Sequence, residues 1–363
     1  MGRNGPDPGN VCFSQLLSRL GFRYLNFGSL RCALDLRKLG EFGLLRRVRS
    51  WMTASDPSLI QGMGDDVAVF ETKGKIVLAT TDILIEDVHF RRTWIDPYHL
   101  GKKALAVNLS DIAAMGGIPR YFLLSLGLPK ELSLFFISRF YRGLKEMAKP
   151  FRVDLIGGDT SLSPKIIVNI CLLGEGEKGT LLYRKGARVG DDLFVTGTLG
   201  DSALGLRILQ RRGAGSKRLG LVEKHLSPRP RIDLGQALGR ERLATAMIDV
   251  SDGLLIDTTH LLEESGKGAR VWEDRIPLSA LYRKYVSSYA KDPRQFALSG
   301  GEDYELLFTA PRAMREKISS LSLIHRVPIT RIGEILPSPK GFRIVRTDGT
   351  EYSPSHLGFD HFK

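Results

Sequence analysis

A chain of 363 residues, 42% hydrophobic and 26% charged, is long enough for two domains, and this composition excludes disorder and fibre. Its longest apolar runs, such as Tyr121 to Leu128, fall far short of a membrane span, and three cysteines without CxxC spacing point to neither a disulfide framework nor a zinc site. That usage fits a reducing cytoplasm. The net charge of +13 leaves nucleic acid, an anionic membrane surface and small phosphorylated ligands open as partners.

Much of the charge is local. Residues 1–50 hold nine Arg or Lys against Asp7, Asp35 and Glu41, which is +6 of the total. The segment 1–40 reads as a basic extension. A targeting arm and a nucleic-acid tail both fit it, and a poorly ordered extension is the simplest reading.

From Glu41 the pattern settles into alternating helices and strands. Leu44 to Trp51 predicts a short helix, Lys75 to Asp82 a strand, His99 to Gly117 a helix, and Tyr121 to Pro129 a strand. Leu132 to Lys149 predicts a helix stopped by Pro150. Asp154 to Thr160 reads as a Gly-rich turn before the strand Lys165 to Glu175. Arg184 to Gly190 is a basic, Gly-punctuated link, taken as the boundary between domains 41–186 and 187–363. The second domain then brings a strand at Asp192 to Gly197, a helix at Asp201 to Arg212, a strand at Thr245 to Val250, a helix from Asp252 closed by Gly266, and a strand at Glu305 to Ala310. The expected fold class is α/β (α+β), in two domains.

Aspartates recur at the ends of these apolar segments: Asp65 and Asp66, Asp82, Asp111, Asp159, Asp249 and Asp252, with Glu302 and Asp303 after a Ser-Gly-Gly turn. Each one alone is ordinary capping or turn chemistry. Together they gain meaning if strand and helix ends converge at one edge, where ligands bind in α/β domains. On an extended strand Thr80 and Asp82 share a face and Thr81 points away, while Asn108 and Asp111 share a helix face. Two carboxylates about 4 Å apart repel by roughly 4 kcal/mol at an effective dielectric of 20, so a converged cluster protonates or binds cations. Oxygen donors without clustered His or Cys favour Mg²⁺, which is commonly held by a few carboxylates together with substrate phosphates. No P-loop sequence is present. The one G-x-G-x-x-G match, Gly174 to Gly179, leads into no helix and reads as a turn.

The segments GMGDDVAVF, LATTDILIEDVHF, KALAVNLSDIAAMGG, LIGGDTS, VTGTLGDSALGL, IDVSDGLLIDTTH and LSGGEDYELLFT occur in this order. So arranged, the chain resembles the thiamine-monophosphate kinases, within the superfamily of aminoimidazole-ribonucleotide synthetase. The resemblance runs from about Glu41 to the closing GFDHF. It implies a two-domain fold and a homodimer whose N-terminal domains pair strands into a barrel. It also implies phosphorylation of thiamine monophosphate by ATP with several Mg²⁺ ions. Carried over by motif, Asp66, Thr80, Thr81, Asp82, Asp111, Asp159, Asp249 and Asp252 match metal ligands, with Asp65 beside them as a further ligand or an orienting neighbour. Gly158, Asp159, Arg184 and Ser251 match the nucleotide site, and His89, Glu302 and Phe359 match contacts to the thiamine moiety. Thr80 stands where some relatives have Ser, and Phe359 where others have Tyr or Trp. Another synthetase or dehydratase of the superfamily is the alternative, as is a nucleic-acid-binding protein using the basic arm. Cys12 and Cys32 lie in the unmatched extension and the chain ends in HFK, which argues against the selenophosphate synthetase and hydrogenase-maturation types.

Overall fold

The computed structural model describes residues 36–52, 54–213, 219–354 and residue 358. The basic extension up to residue 35, and the contact expected of Phe359, lie outside the described residues.

The first helix is longer than the sequence predicts. α1 spans Leu36–Trp51 and breaks at Gly40, where φ 68° and ψ 172° leave the helical region. A first sheet follows, built from β1 (Leu59–Gln61), β2 (Ala68–Thr72), β3 (Lys75–Ile85), β4 (Ile118–Leu128), β5 (Asp154–Leu162) and β6 (Ile167–Gly176), with α2 (Pro97–Ala114) and α3 (Leu134–Phe151) between strands. Its order is β1-β2-β3-β6-β4-β5, antiparallel except for β4 and β5. A second sheet gathers β7 (Asp192–Thr196), β8 (Ala246–Asp249), β9 (Lys267–Trp272), β10 (Leu306–Ala310), β11 (Ile329–Pro337), β12 (Phe342–Val345) and β13 (Glu351–Tyr352) in the order β13-β12-β9-β11-β7-β10-β8. The helices around it are α4 (Asp201–Arg212), α5 (Gly220–Leu226), α6 (Ile232–Arg240), α7 (Leu254–Ser265), α8 (Ala280–Tyr285), α9 (Gln295–Ser299) and α10 (Arg315–His325).

The architecture is therefore two α/β lobes, each on a mixed sheet. Only two pairs among the described strands, β4 with β5 and β9 with β12, run parallel. The site accordingly does not sit along the carboxyl edge of a parallel sheet, the arrangement that would have gathered the aspartates most simply.

α2 explains how it forms instead. Asp96 caps the helix through a hydrogen bond from the His99 backbone N–H at 3.1 Å, and Pro97 occupies the first turn. Its residues are buried nearly all round, because one side packs on β3 and β6 and the other on α6 and β8 of the second lobe. α3 crosses it closely: a Cβ on Gly101 would lie 2.1 Å from the Phe140 carbonyl oxygen, and one on Gly143 1.9 Å from that of Tyr98. Two expectations need correction here. Pro150 does not stop α3 but sits in its last turn, and Arg152, with φ 54°, ends the helix. Asp154 to Thr160 is not a turn but the body of strand β5, exposed along its whole length at the edge of the first sheet.

Candidate active site

The centre of the site lies where β3, α2 and β8 meet. Thr80 and Asp82 point from β3 toward α2. The Thr80 hydroxyl donates to Asp111 Oδ2 at 2.5 Å, and Asn108 Oδ1 accepts from the Asp82 backbone N–H at 3.1 Å. Thr81, on the other face, donates to the Ile170 carbonyl at 3.0 Å. Asp249, at the end of β8, accepts from Ser110 on α2 at 2.6 Å, a bond that joins the two lobes. Carboxylate oxygens of Asp66, Asp111 and Asp249 all lie within 4.8 Å of one another.

Such crowding has the electrostatic consequence expected of it. Burial, and then the charge of Asp82, holds Asp111 well above the usual carboxylate range. Burial and the neighbouring Asp66 raise Asp249 to about 8, and burial raises Asp82 to about 6 even though it shares a hydrogen bond with Asp111. Asp66 is also raised by burial, and its Oδ2 is buried without a hydrogen-bond partner.

A single arginine serves this cluster. Arg184 reaches Asp66 Oδ1 with Nη2 at 2.5 Å and Nε at 3.2 Å, and its backbone N–H donates to both oxygens of Asp65 at 3.3 Å. Burial works against the guanidinium charge, and Asp66 more than offsets it. Burial and Asp66 raise Asp65 to about 7. Asp65 Oδ1 also accepts from the Asp66 backbone N–H at 3.0 Å, so Asp65 orients its neighbour and the arginine backbone. Across the cluster, the loop before α7 is drawn together by Asp257, whose Oδ2 accepts from the backbone N–H groups of Ser251, Asp252 and Gly253 at 3.0 to 3.1 Å.

A cleft of about 500 Å³ opens from the cluster between the lobes. Thr81, Asp82, Asp111, Ser251 and Asp252 line it, with Glu41 of α1. Burial, and then the charge of Glu41, raises Asp252 to about 7. His89 and Glu302 also line the cleft. His89 Nδ1 accepts from the Ile85 backbone N–H at 2.9 Å, so the ring proton sits on Nε2. Glu302 differs from every aspartate of the cluster. Burial would push its carboxyl up, but Lys103 at 2.7 Å and His225 at 3.1 Å hold it well below the usual carboxylate range.

Similarity to known proteins gives the family. Family models described as AIR synthase related protein, N-terminal domain and C-terminal domain, match residues 64–175 and 188–346. Thiamine-monophosphate kinase from Aquifex aeolicus is 40% identical over 296 residues, which is 81% of this chain and 93% of that protein. Its counterpart from Bacillus subtilis is 35% identical over 331 residues, 90% of this chain and 100% of that one. The chain belongs to the thiamine-monophosphate kinase family. A solved structure described as AaThiL complexed with AMPPCP and TMP superposes with a TM-score of 0.79 at 37% identity, covering 91% of this chain and 99% of that one.

Most of the residues that the family resemblance singled out come together. Asp65, Asp66, Thr80, Asp82, Asp111, Arg184 and Asp249 form one connected cluster, and Thr81, His89, Ser251, Asp252 and Glu302 line the adjoining cleft. Gly158 and Asp159 do not join them within one chain. They sit on edge strand β5, three strands and so roughly 14 Å across the sheet from β3. Gly158 has φ 155°, and a Cβ there would meet the Leu124 carbonyl oxygen at 1.9 Å, so its glycine serves the pairing of β5 with β4.

Four residues near the site escaped sequence reasoning: Glu41, Lys103, His225 and Asp257. Lys103 left a readable signal, since Lys103, Val107 and Asp111 follow at four-residue spacing on one stripe of an otherwise apolar helix. The donor set around Asp66, Asp111 and Asp249 is all oxygen, and the orphaned Asp66 Oδ2 gives a cation a ligand already in place. Both features fit Mg²⁺.

Proposed function

We infer that the chain transfers the γ-phosphoryl group of ATP to the phosphate of thiamine monophosphate, giving ADP and thiamine diphosphate by direct inline displacement. The observation that carries this reading is one cleft that joins an all-oxygen acid cluster to an internally neutralised carboxylate, Glu302. The relative bound to AMPPCP and TMP supports the pairing of a nucleotide with a phosphate ester in such a site.

The chemistry asks little of a general base. A phosphate monoester has a second pKa of about 6 and is largely dianionic at neutral pH, so the nucleophile needs no deprotonation. The obstacle is repulsion between two anions. Mg²⁺ held by Asp66, Asp111 and Asp249, with Asp82, Asp252, Thr80 and Thr81 within reach, supplies charge screening and alignment of the attacking and leaving oxygens. Arg184 and Ser251 bind the nucleotide in this reading, Arg184 as a fixed positive charge at the edge of the cluster. Glu302 faces the cationic thiazolium or the aminopyrimidine, and His89 offers Nε2–H as a donor. Gly158 and Asp159 keep their nucleotide and metal roles on the resemblance alone.

The chain also reads as a homodimer in the cytoplasm. β5 leaves one edge of its backbone unpaired and exposes Leu155, Ile156 and Leu162, while Tyr121 and Leu123 lie exposed on the neighbouring β4. Edge strands with such apolar exposure are ordinarily covered, and a second copy of the same strand is the cover the resemblance implies. Among the described residues no helix is long and apolar enough to cross a membrane.

Incubation with ATP, Mg²⁺ and thiamine monophosphate, followed by chromatography, tests the function. Equal yields of ADP and thiamine diphosphate are expected. Folded protein that binds ATP yet forms no thiamine diphosphate contradicts it.

A further inference from the structure

Lys103 is unusual for its place. Its side chain is 1% exposed, inside the most buried helix of the first lobe, and its ammonium lies 2.7 Å from Glu302 Oε1. His225, also buried, has Nδ1 3.1 Å from Glu302 Oε2. These two groups approach the carboxylate from α2 of the first lobe and α5 of the second, and the loop after α9 carries Glu302. That loop is itself fixed. Glu302 has φ 68° and Tyr304 φ 51°, and their backbone N–H groups donate to Ser251 at 2.6 Å and Val250 at 2.9 Å. Asp303 accepts from the N–H groups of Gly200 and Ser202 at the start of α4.

We propose that Lys103 and His225 are positioning residues for substrate recognition, holding both Glu302 oxygens from behind the cleft wall so that the remaining lone pairs face a cationic heterocycle borne on a phosphate ester. This rests on the reading above that Glu302 faces the substrate. An ionised carboxylate has about four acceptor sites and no donor, so two remain after Lys103 and His225 are served. For the same reason His225 must carry its proton on Nδ1, which it shares with Ser202 Oγ at 3.1 Å. The ammonium favours the ionised carboxyl against the burial that would favour a neutral O–H. With it, the charge stays and its negative end is the one turned to the cleft.

Calorimetric binding of thiamine monophosphate, with a non-hydrolysable ATP analogue as control ligand, tests the proposal on Glu302→Gln, Lys103→Met, His225→Gln and the charge-balanced double variant Lys103→Met/Glu302→Gln. Lys103→Met is expected to weaken thiamine monophosphate about tenfold or more and the nucleotide less than about twofold. The double variant should bind no more weakly than Glu302→Gln, because Lys103 acts only through that carboxylate. A folded Lys103→Met with unchanged affinity, or losses that multiply in the double variant, overturns the proposal while leaving Glu302 as a substrate contact. Unchanged affinity in Glu302→Gln overturns the substrate contact and the proposal together. Wild-type protein that binds nucleotide but no thiamine monophosphate overturns the proposed function as well. If Lys103→Met does not fold, His225→Gln decides, with a loss of roughly threefold or more expected against no change.

Discussion

The acid cluster and Glu302 hold carboxylates in opposite electrostatic states along one cleft. Asp66, Asp82, Asp111 and Asp249 are crowded with one another, Arg184 bonds only Asp66 among them, and burial raises all four above their ordinary range. Glu302, whose side chain is 27% exposed, has a lysine and a histidine beside it and is held below that range. The first group carries more carboxylates than Arg184 can neutralise, which suits it to a cation in the proposed reading. The second is already paired by the chain and keeps its charge, which in the proposed reading faces the cationic ring of the substrate. A carboxylate's role here depends less on its burial than on whether the fold supplies its counter-charge.

The largest expected effect lies at the acid cluster. Asp82→Asn should lower kcat by on the order of 10²–10³, as for removal of other preorganised charge-stabilising groups. Its melting temperature without metal should be no lower than wild type, since one member of a repelling set becomes neutral. A variant that fails to fold would make Asp82 structural.

Stability sharpens the contrast next. Lys103→Met leaves Glu302 with His225 as its remaining charged or polar side-chain partner and should cost roughly 1–3 kcal/mol in urea unfolding. Asp111→Asn, which relieves repulsion, should cost far less. Equal losses in the two variants would erase the distinction between the cluster and Glu302.

The pH dependence differs in sign as well. Burial lifts Asp65, Asp252 and Asp249 to about 7, 7 and 8, above their unfolded values. Between about pH 4 and 8 the folded chain therefore holds protons that the unfolded chain has released. The stability this gives is fully present below about pH 4 and declines as pH rises through 6 to 8. Unfolding of metal-free protein should follow that decline, Mg²⁺ should flatten it, and Mg²⁺ affinity should strengthen over the same range as protons cease to compete. Metal-free stability that rises from pH 6 to 8 would contradict the raised values.

The smallest effect expected is at Thr80. Thr80→Ser keeps the hydroxyl that donates to Asp111 and should stay within about twofold of wild-type turnover, while Thr80→Val should lose roughly fivefold. Equal rates for the two would show that the hydroxyl is idle.

What the sequence made legible follows from how local each signal is. Asp65, Asp66, Asp82, Asp111, Asp249 and Asp252 stand out because charged residues interrupt apolar runs at strand and helix ends. The alternation of Thr80, Thr81 and Asp82 correctly gave their faces. Their convergence was not local. It depends on α2 packing against both lobes, with Ser110 bonding to Asp249 across 139 residues of sequence. β5 was misread because Gly157 and Gly158 look like a turn and the strand has no buried face to produce alternation; only its pairing with β4 makes it a strand. Lys103 and His225 were passed over because a lysine or histidine in a helix ordinarily reads as solvated. Nothing near them in sequence announces Glu302, which is 199 and 77 residues away.

The central claim is that one cleft passes a phosphoryl group directly from nucleotide to thiamine monophosphate. A single-turnover experiment with protein in excess over γ-phosphate-radiolabelled ATP, with Mg²⁺ and thiamine monophosphate, tests it most directly. The account predicts label moving from ATP to the terminal phosphate of thiamine diphosphate, with none on the protein at any time. Label accumulating on the chain before product, or appearing only as inorganic phosphate, would contradict it.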